Sequence, residues 1–471
     1  MVNYLEKLFC VEILEKISRM QRFLCLEPDV SRRQGSEVIN IFLKALDAIL
    51  INLRPIVSRL SQEVPLGMWE KLATVRRLSD IFKSIDNLHS QLQFVYGIWV
   101  RPEAHVFVKS VLEFIPSSRR PGKVNIILSN MYSFLETDLS SYVEDVLSAT
   151  DVHVDFQDQS PSVFLPKIER DNPLNWAILV HECGHADFQG NSRLHEQLES
   201  ILAQADAPSK KILQRWAEEI YCDLFAAQIL GPAYLASFAT FALVVAGGGG
   251  SEISSETHPA DVVRISIIHE TLEKSKLKVV LTEPKLDSND ISSLFYNALE
   301  ERVKLERQYI RLPLEQPQPQ FILQDFVDAI CEQVEQTISL SQQLTVKEFA
   351  RIDDLAKKRL SKGILIGSYQ NPQLTESAKG DFSEGRINSQ KLNEAKNAVR
   401  ESRVLLWEIV NAGWLHKIEN VYPRAFVLFF DSNDKPLEEK VKSLGEELEG
   451  MDRLLLKSIE SSEVQRLMEE V

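Results

Sequence analysis

The spacing of apolar and polar positions predicts long helices on either side of a short strand-like region. Residues 1–24 follow an amphipathic helical pattern. Val75, Leu78, Phe82, Ile85, Leu88, Leu92, Val95 and Trp99 then form one stripe at steps of three and four, as in a helix packed in a bundle. Prolines, serines and a glycine at 115–122 end that pattern. Strand-like segments come next, at 123–128, 153–157 and 162–168. Pro166 cannot donate to an interior ladder, so the last segment is expected at a sheet edge, where an extended peptide could pair with it.

Helical spacing returns at 172–188, where Leu174, Ala177, Ile178, His181, His185 and Phe188 share a face. Asn172 is a suitable N-cap, and Pro173 suits the first helical position. A polar helical segment at 191–211 carries His195, expected in solvent. A second strong helix, 213–227, has Trp216, Ile220, Leu224 and Ala227 as its apolar stripe. From Leu224 to Ser251 no residue is charged. Gly231-Pro232 interrupts this stretch, and Ala, Ser and Thr dominate it, so a buried core helix is expected rather than a membrane span. Farther on, a proline-rich linker is expected at 312–320, a helix at 391–407 and a buried strand at 424–430. The tail has Val441, Leu444, Leu448, Met451 and Leu455 at heptad steps, which supports a packed or partner-binding helix.

Composition narrows this picture. The 471 residues, 44% hydrophobic and 26% charged, are ordinary for a globular protein with a sizeable core. A net charge of -15 argues against nucleic acid as the main partner. The five cysteines are odd in number and lack C-x-x-C spacing, and the first residues lack the order of a signal peptide, so a reducing, cytoplasmic setting is expected. Cys183 and Cys222 read as small buried residues, and His89 and His105 as structural.

The chemistry lies at His181-Glu182-Cys183-Gly184-His185. H-E-x-x-H on a helix places two imidazoles one turn apart, able to grip one zinc ion, with Glu182 beside the bound water as general base. A third ligand must come from elsewhere. On the 213–227 helix, Glu219 and Asp223 share a face with small alanines, where a carboxylate is costly to bury unless it is paired or bound to metal. Glu219 is therefore assigned as third ligand, with Glu218 as fallback, and Asp223 as the acceptor that holds a ligand histidine in one tautomer. Phe188 and Asn191 stand where an extended x-x-G-x-x-H motif would need glycine and histidine, which excludes that class of zinc protease. After Gly247–Gly250, expected as a flexible connection, His258 precedes a proline and is placed to reach a neighbouring site; Arg264 follows on the next helix.

The order H-E-x-x-H, E-x-x-x-D, then His-Pro and Arg-Ile resembles the gluzincin metallopeptidases, and most nearly the CAAX-prenyl endopeptidase class and its soluble bacterial relatives. The resemblance covers about residues 150–275. It implies zinc held by His181, His185 and Glu219, Glu182 as base, His258 helping to stabilise the oxyanion, and Arg264 paired with an acidic residue near the site. The 34-position step from His185 to Glu219 is shorter than that class leads one to expect, so prenylated substrates are not carried over.

The expected fold is α+β and predominantly helical: an N-terminal helical region (1–115), a zincin-like domain with a small sheet (122–312) and a mainly helical C-terminal region (321–471). The expected function is zinc-dependent hydrolysis of a peptide or protein substrate, with the helical flanks available to protein partners. The alternatives are a zincin-fold binding or regulatory protein with little hydrolytic activity, and a membrane-anchored protease.

Overall fold

The computed structural model describes residues 3–26, 36–62, 64–96, 100–122, 124–129, 133–135, 161–203, 207–245, 258–274, 406–431 and 435–470. Four helices come first: α1 (Tyr4–Leu26), α2 (Ser36–Leu60), α3 (Met68–Tyr96) and α4 (Pro102–Leu112). Strands β1 (Asn125–Ser129), β2 (Ser133–Leu135) and β3 (Ser162–Pro166) follow, and then helices α5 (Ile178–Gln189), α6 (Ser192–Leu202), α7 (Ala207–Leu230), α8 (Pro232–Val245) and α9 (Asp261–Lys274). The C-terminal elements are α10 (Leu406–His416), α11 (Tyr422–Phe426) and α12 (Leu437–Glu470). The described residues are thus mostly helical, with one small sheet.

Apolar stripes explain most of these helices. On α3 the predicted Val75, Leu78, Phe82 and Ile85 are buried. On α12 the heptad-spaced residues are buried too, and the helix packs within the chain, against α1, α2, α4 and α10. The uncharged α8 is a core helix, with Ala233 to Thr240 all buried, and no helix among the described residues is long and apolar enough to cross a membrane. Gly231 makes the turn from α7 to α8 at φ 59, a left-handed conformation that glycine adopts without strain, and Pro232 then opens α8. One continuous core draws on residues from Leu5 to Ile459.

Four expectations change. First, α1 is not amphipathic towards solvent: Glu6, Lys7, Glu12, Glu15, Lys16 and Arg19 are buried with its apolar face. Lys417 reaches Glu12 and Glu15 at 2.9 Å each, and Lys16 meets Glu169 at 2.5 Å. Arg19 bridges Glu15 and Asp452, and the Tyr422 hydroxyl donates to Glu12 at 2.6 Å.

Second, 424–430 is not a strand. Residues 406–431 run on as helix, with π-helical turns at Lys417–Val421 and Val427–Asp431. Buried Trp414, Ile418, Tyr422, Phe426 and Phe430 recur every four residues. A short apolar run does not distinguish a buried strand from a buried helix.

Third, β3 lies between β1 (parallel) and β2 (antiparallel), so it is not an edge among the described residues. Pro166 is tolerated because it ends the strand, beyond the three residues that β2 covers. Fourth, Asn172 does not cap the metal-motif helix. The segment before Ile178 is a 3-10 turn, Asn175–Ala177, and the Asn172 amide donates to Glu169 instead. The strand expected at 153–157, the linker at 312–320, the glycine run 247–250 and residues 391–405 of the expected helix fall outside the described residues.

Candidate metal centre

The motif helix α5 is held on three sides. Ile178, Leu179 and Val180 fill the core at its start, each contributing about 1.5–3 kcal/mol by burial. Trp176 just before it is fully buried and donates its indole N–H to the Glu169 carbonyl at 2.9 Å. The Glu169 side chain also accepts from Lys16 and from the amides of Asn172 and Asn175. α5 then crosses α7 at Gly184, where a Cβ would come within 3.0 Å of the Cys222 Cα. Only a glycine in H-E-C-G-H lets the two helices approach this closely.

That approach brings the carboxylates of α7 to the imidazoles of α5. Glu219 Oε2 lies 3.3 Å from His181 Nε2, and Glu219 Oε1 lies 3.8 Å from His185 Nε2. The other nitrogen of each ring faces a different carboxylate: His181 Nδ1 is 2.9 Å from Asp223 Oδ1, and His185 Nδ1 is 2.9 Å from Glu218 Oε1. The two candidates for third ligand therefore face different atoms. Glu219 faces the Nε2 edges of both rings, and Glu218 braces the back of His185.

Asp223 is fully engaged. Arg264 of α9 donates to both its oxygens, at 2.7 and 2.8 Å, and Nη2 of the same guanidinium reaches Glu219 Oε2 at 3.4 Å. Arg264 rests on the Phe238 ring, 4.5 Å from its centroid. His258 approaches from the solvent side, 53% exposed, with Nε2 3.3 Å from Glu219 Oε1. Glu182 is buried on α5 and makes no hydrogen bond among the described residues; burial raises its pKa, against the pull of His181 and His185. His195, expected in solvent, instead packs edge-on against Phe188 at 4.8 Å, and His105 is exposed on α4. Comparison with protein-family models, curated proteins and solved structures finds no match to this chain.

The donor set fits a divalent metal. Three buried carboxylates (Glu182, Glu219, Asp223) and the partly exposed Glu218 surround two imidazoles with one guanidinium as fixed counter-charge, an excess of negative charge that a cation offsets. Glu219 Oε2 is buried and accepts no hydrogen bond. The 3.3 and 3.8 Å separations are close to the edge of about 3.3 Å in a tetrahedron of zinc–ligand bonds. The same carboxylates act on His181: burial alone would lower its pKa, but Asp223 and Glu219 push it up to about 10.

Cys222 is a second possible donor, its sulfur lying with nitrogens of His181 and His185 within 4.8 Å of one another. That sulfur rests against Gly184, and burial together with the nearby carboxylates raises the thiol pKa well above its usual value. The neutral thiol is a weaker donor than the ionised Glu219, whose pKa Arg264 and the histidines hold low against burial.

One participant, Tyr234, and the place taken by Glu218 were not foreseen. Tyr234 on α8 donates its hydroxyl to Asp223 Oδ1 at 2.6 Å and lies parallel to the His181 ring. Glu218 acts on Nδ1 of His185 rather than on the metal-facing edge. A tyrosine in an apolar helix carries no sequence signal for this role. For Glu218, the signal was its adjacency to Glu219, which left the division of labour open.

Proposed function

We propose that the chain is a zinc-dependent metallopeptidase of the gluzincin type, built on a zincin-like core. The observation that carries this reading is the carboxylate of Glu219 facing both Nε2 edges of the H-E-x-x-H histidines, while Asp223 and Glu218 hold the opposite nitrogens. His181, His185 and Glu219 hold the metal, which supplies Lewis acidity towards the scissile carbonyl and an acidified water. Asp223 and Glu218 fix the two rings so that Nε2 is the donor atom.

Glu182 takes the proton of the attacking water and delivers it to the departing amine. Its buried setting, which favours the protonated acid, suits the second half of that task. His258, on the solvent side of the site, donates to the carbonyl oxygen as negative charge develops.

The test is Glu182→Gln on the zinc-loaded protein, assayed against a proteome-derived peptide library. Zinc binding should persist while cleavage falls by roughly 10²-fold or more, the scale of a lost general base. Equal cleavage by wild type and variant would sink the mechanism. Zinc bound stoichiometrically, with no peptide cleaved by either protein, would leave a metal-holding binding protein in its place.

A further inference from the structure

Asp223 does more than accept from His181, and the way its oxygens are shared assigns a role to Tyr234. Three donors converge on Oδ1: the Tyr234 hydroxyl at 2.6 Å, Arg264 Nη2 at 2.8 Å and His181 Nδ1 at 2.9 Å. Oδ2 takes Arg264 Nε at 2.7 Å. An ionised carboxylate only accepts, so His181 must carry its proton on Nδ1. The Tyr234 oxygen also lies 3.3 Å from that nitrogen, but a protonated Nδ1 cannot accept, so the phenol proton goes to Asp223. The proton layout then has one solution, and in it the lone pair of neutral His181 sits on Nε2, the edge that faces Glu219.

The orientation of the Tyr234 ring brings its hydroxyl to this point. It lies 7° from parallel with His181, centroids 6.5 Å apart, so the hydroxyl rather than the ring face meets the imidazole. Tyr234 is itself aimed from a distance. It stands three residues beyond the left-handed Gly231, in a turn held by Asn411 of α10: Ala233 N–H donates to Asn411 Oδ1 at 3.1 Å, and Asn411 Nδ2 donates to the Leu230 carbonyl at 2.6 Å.

We infer that Tyr234 is a positioning residue of the metal centre, acting through Asp223 to fix the tautomer and ring angle of His181, and that Asn411 sets its reach. This rests on the metallopeptidase reading. A purely structural tyrosine would need its ring here and a partner for its hydroxyl; it would have no reason to share the one oxygen that orients a ligand.

The experiment measures zinc affinity by competition with a fluorescent chelator at fixed pH, for wild type and Tyr234→Phe, alongside thermal unfolding of the metal-free proteins. Phenylalanine keeps the buried ring and removes the hydroxyl. Affinity should fall roughly 10- to 100-fold, the range for loss of a group that orients a metal ligand, with little change in metal-free unfolding. Nitrogen-15 spectra of the zinc-loaded proteins give a second readout: the Nδ1–H of His181 should be protected from exchange in wild type and exchange faster in the variant. Zinc bound within twofold by both proteins, or equal protection in both, overturns this inference alone. A wild-type chain with no affinity for zinc overturns the metallopeptidase reading as well.

Discussion

Among the described residues, buried charge gathers around α1 and at the candidate metal centre, and these two clusters are balanced differently. Around α1, three cations (Lys16, Arg19, Lys417) face four carboxylates (Glu12, Glu15, Glu169, Asp452) in direct ion pairs contributed by distant parts of the chain. At the centre, one guanidinium faces four carboxylates, and the nearest oxygens and nitrogens point at a shared space. The first cluster is nearly neutral by itself. The second keeps an excess of negative charge, which a proton or a metal taken from solution reduces. In one place a removed charge therefore does the damage, and in the other an added charge brings the stability.

The largest effect expected from this contrast is at Lys417. Lys417→Met leaves Glu12 buried without a cation and Glu15 with Arg19 alone, and should cost about 3–5 kcal/mol in denaturant unfolding. Zinc affinity of the folded variant should stay within about twofold of wild type, because a variant far from the ligands does not alter an intact site. A large loss of affinity would mean that the two clusters are one.

Next in size is stabilisation by metal. Zinc at a hundredfold excess over its dissociation constant should raise unfolding stability by about 2.7 kcal/mol, provided the unfolded chain does not bind it. Glu219→Ala should abolish that rise at the same zinc concentration. If it does not, the assignment of Glu219 over Cys222 is wrong.

A smaller and continuous effect is that of pH. His181 holds a proton below about 10 in the metal-free chain and must release it to bind, so acid favours the metal-free form. Zinc affinity should climb about tenfold per pH unit between 6 and 8 from this proton alone, with one proton released per zinc. Calorimetry in buffers of different ionisation enthalpy checks the count. The α1 cluster should respond only in acid. Burial tends to raise the Glu15 pKa, but Lys417 and Arg19 hold it below its unfolded value. Its contribution is present above the unfolded pKa and is lost as pH falls through the folded one.

The smallest effect is expected at Glu218, which is 26% exposed. Glu218→Gln keeps a hydrogen-bond acceptor for His185 and should weaken zinc by about tenfold, the low end for such orienting groups. A loss as large as that of Glu219→Ala would reverse the roles of the two neighbours.

The sequence made the local parts legible and left the long-range parts dark. The helices with a single apolar stripe, α3 and α12, could be read from spacing, as could the burial of the uncharged α8. H-E-x-x-H and the costly carboxylates of α7 pointed to the two helices that the structure brings together. What failed depended on partners far away in the chain. The polar face of α1 looks solvated until residues 169, 417 and 452 are known to cover it. Pro166 marks an edge only if β2 runs its full length, and it stops short. The apolar run 424–430 fits two periods equally well, and its neighbours decided for the helix. Tyr234 was invisible for the same reason: its significance lies wholly in what α7 places opposite it.

The ion pairs of α1 also constrain the order in which the chain can mature. Tyr422 and Glu12 are 410 positions apart, and Lys417 meets the same carboxylate. At about 5–20 residues per second of synthesis, roughly 20 to 80 s separate the emergence of the first helix from that of its counter-charges. The ligand-bearing helices α5 and α7 are made within that interval, but the Asn411 clasp on the α7–α8 turn comes late in it. A nascent chain thus carries the ligands of its metal centre before the centre can be braced, and bracing waits on the same C-terminal stretch that neutralises α1. Synthesis of residues 411–422, on this arrangement, is the step that braces the candidate site.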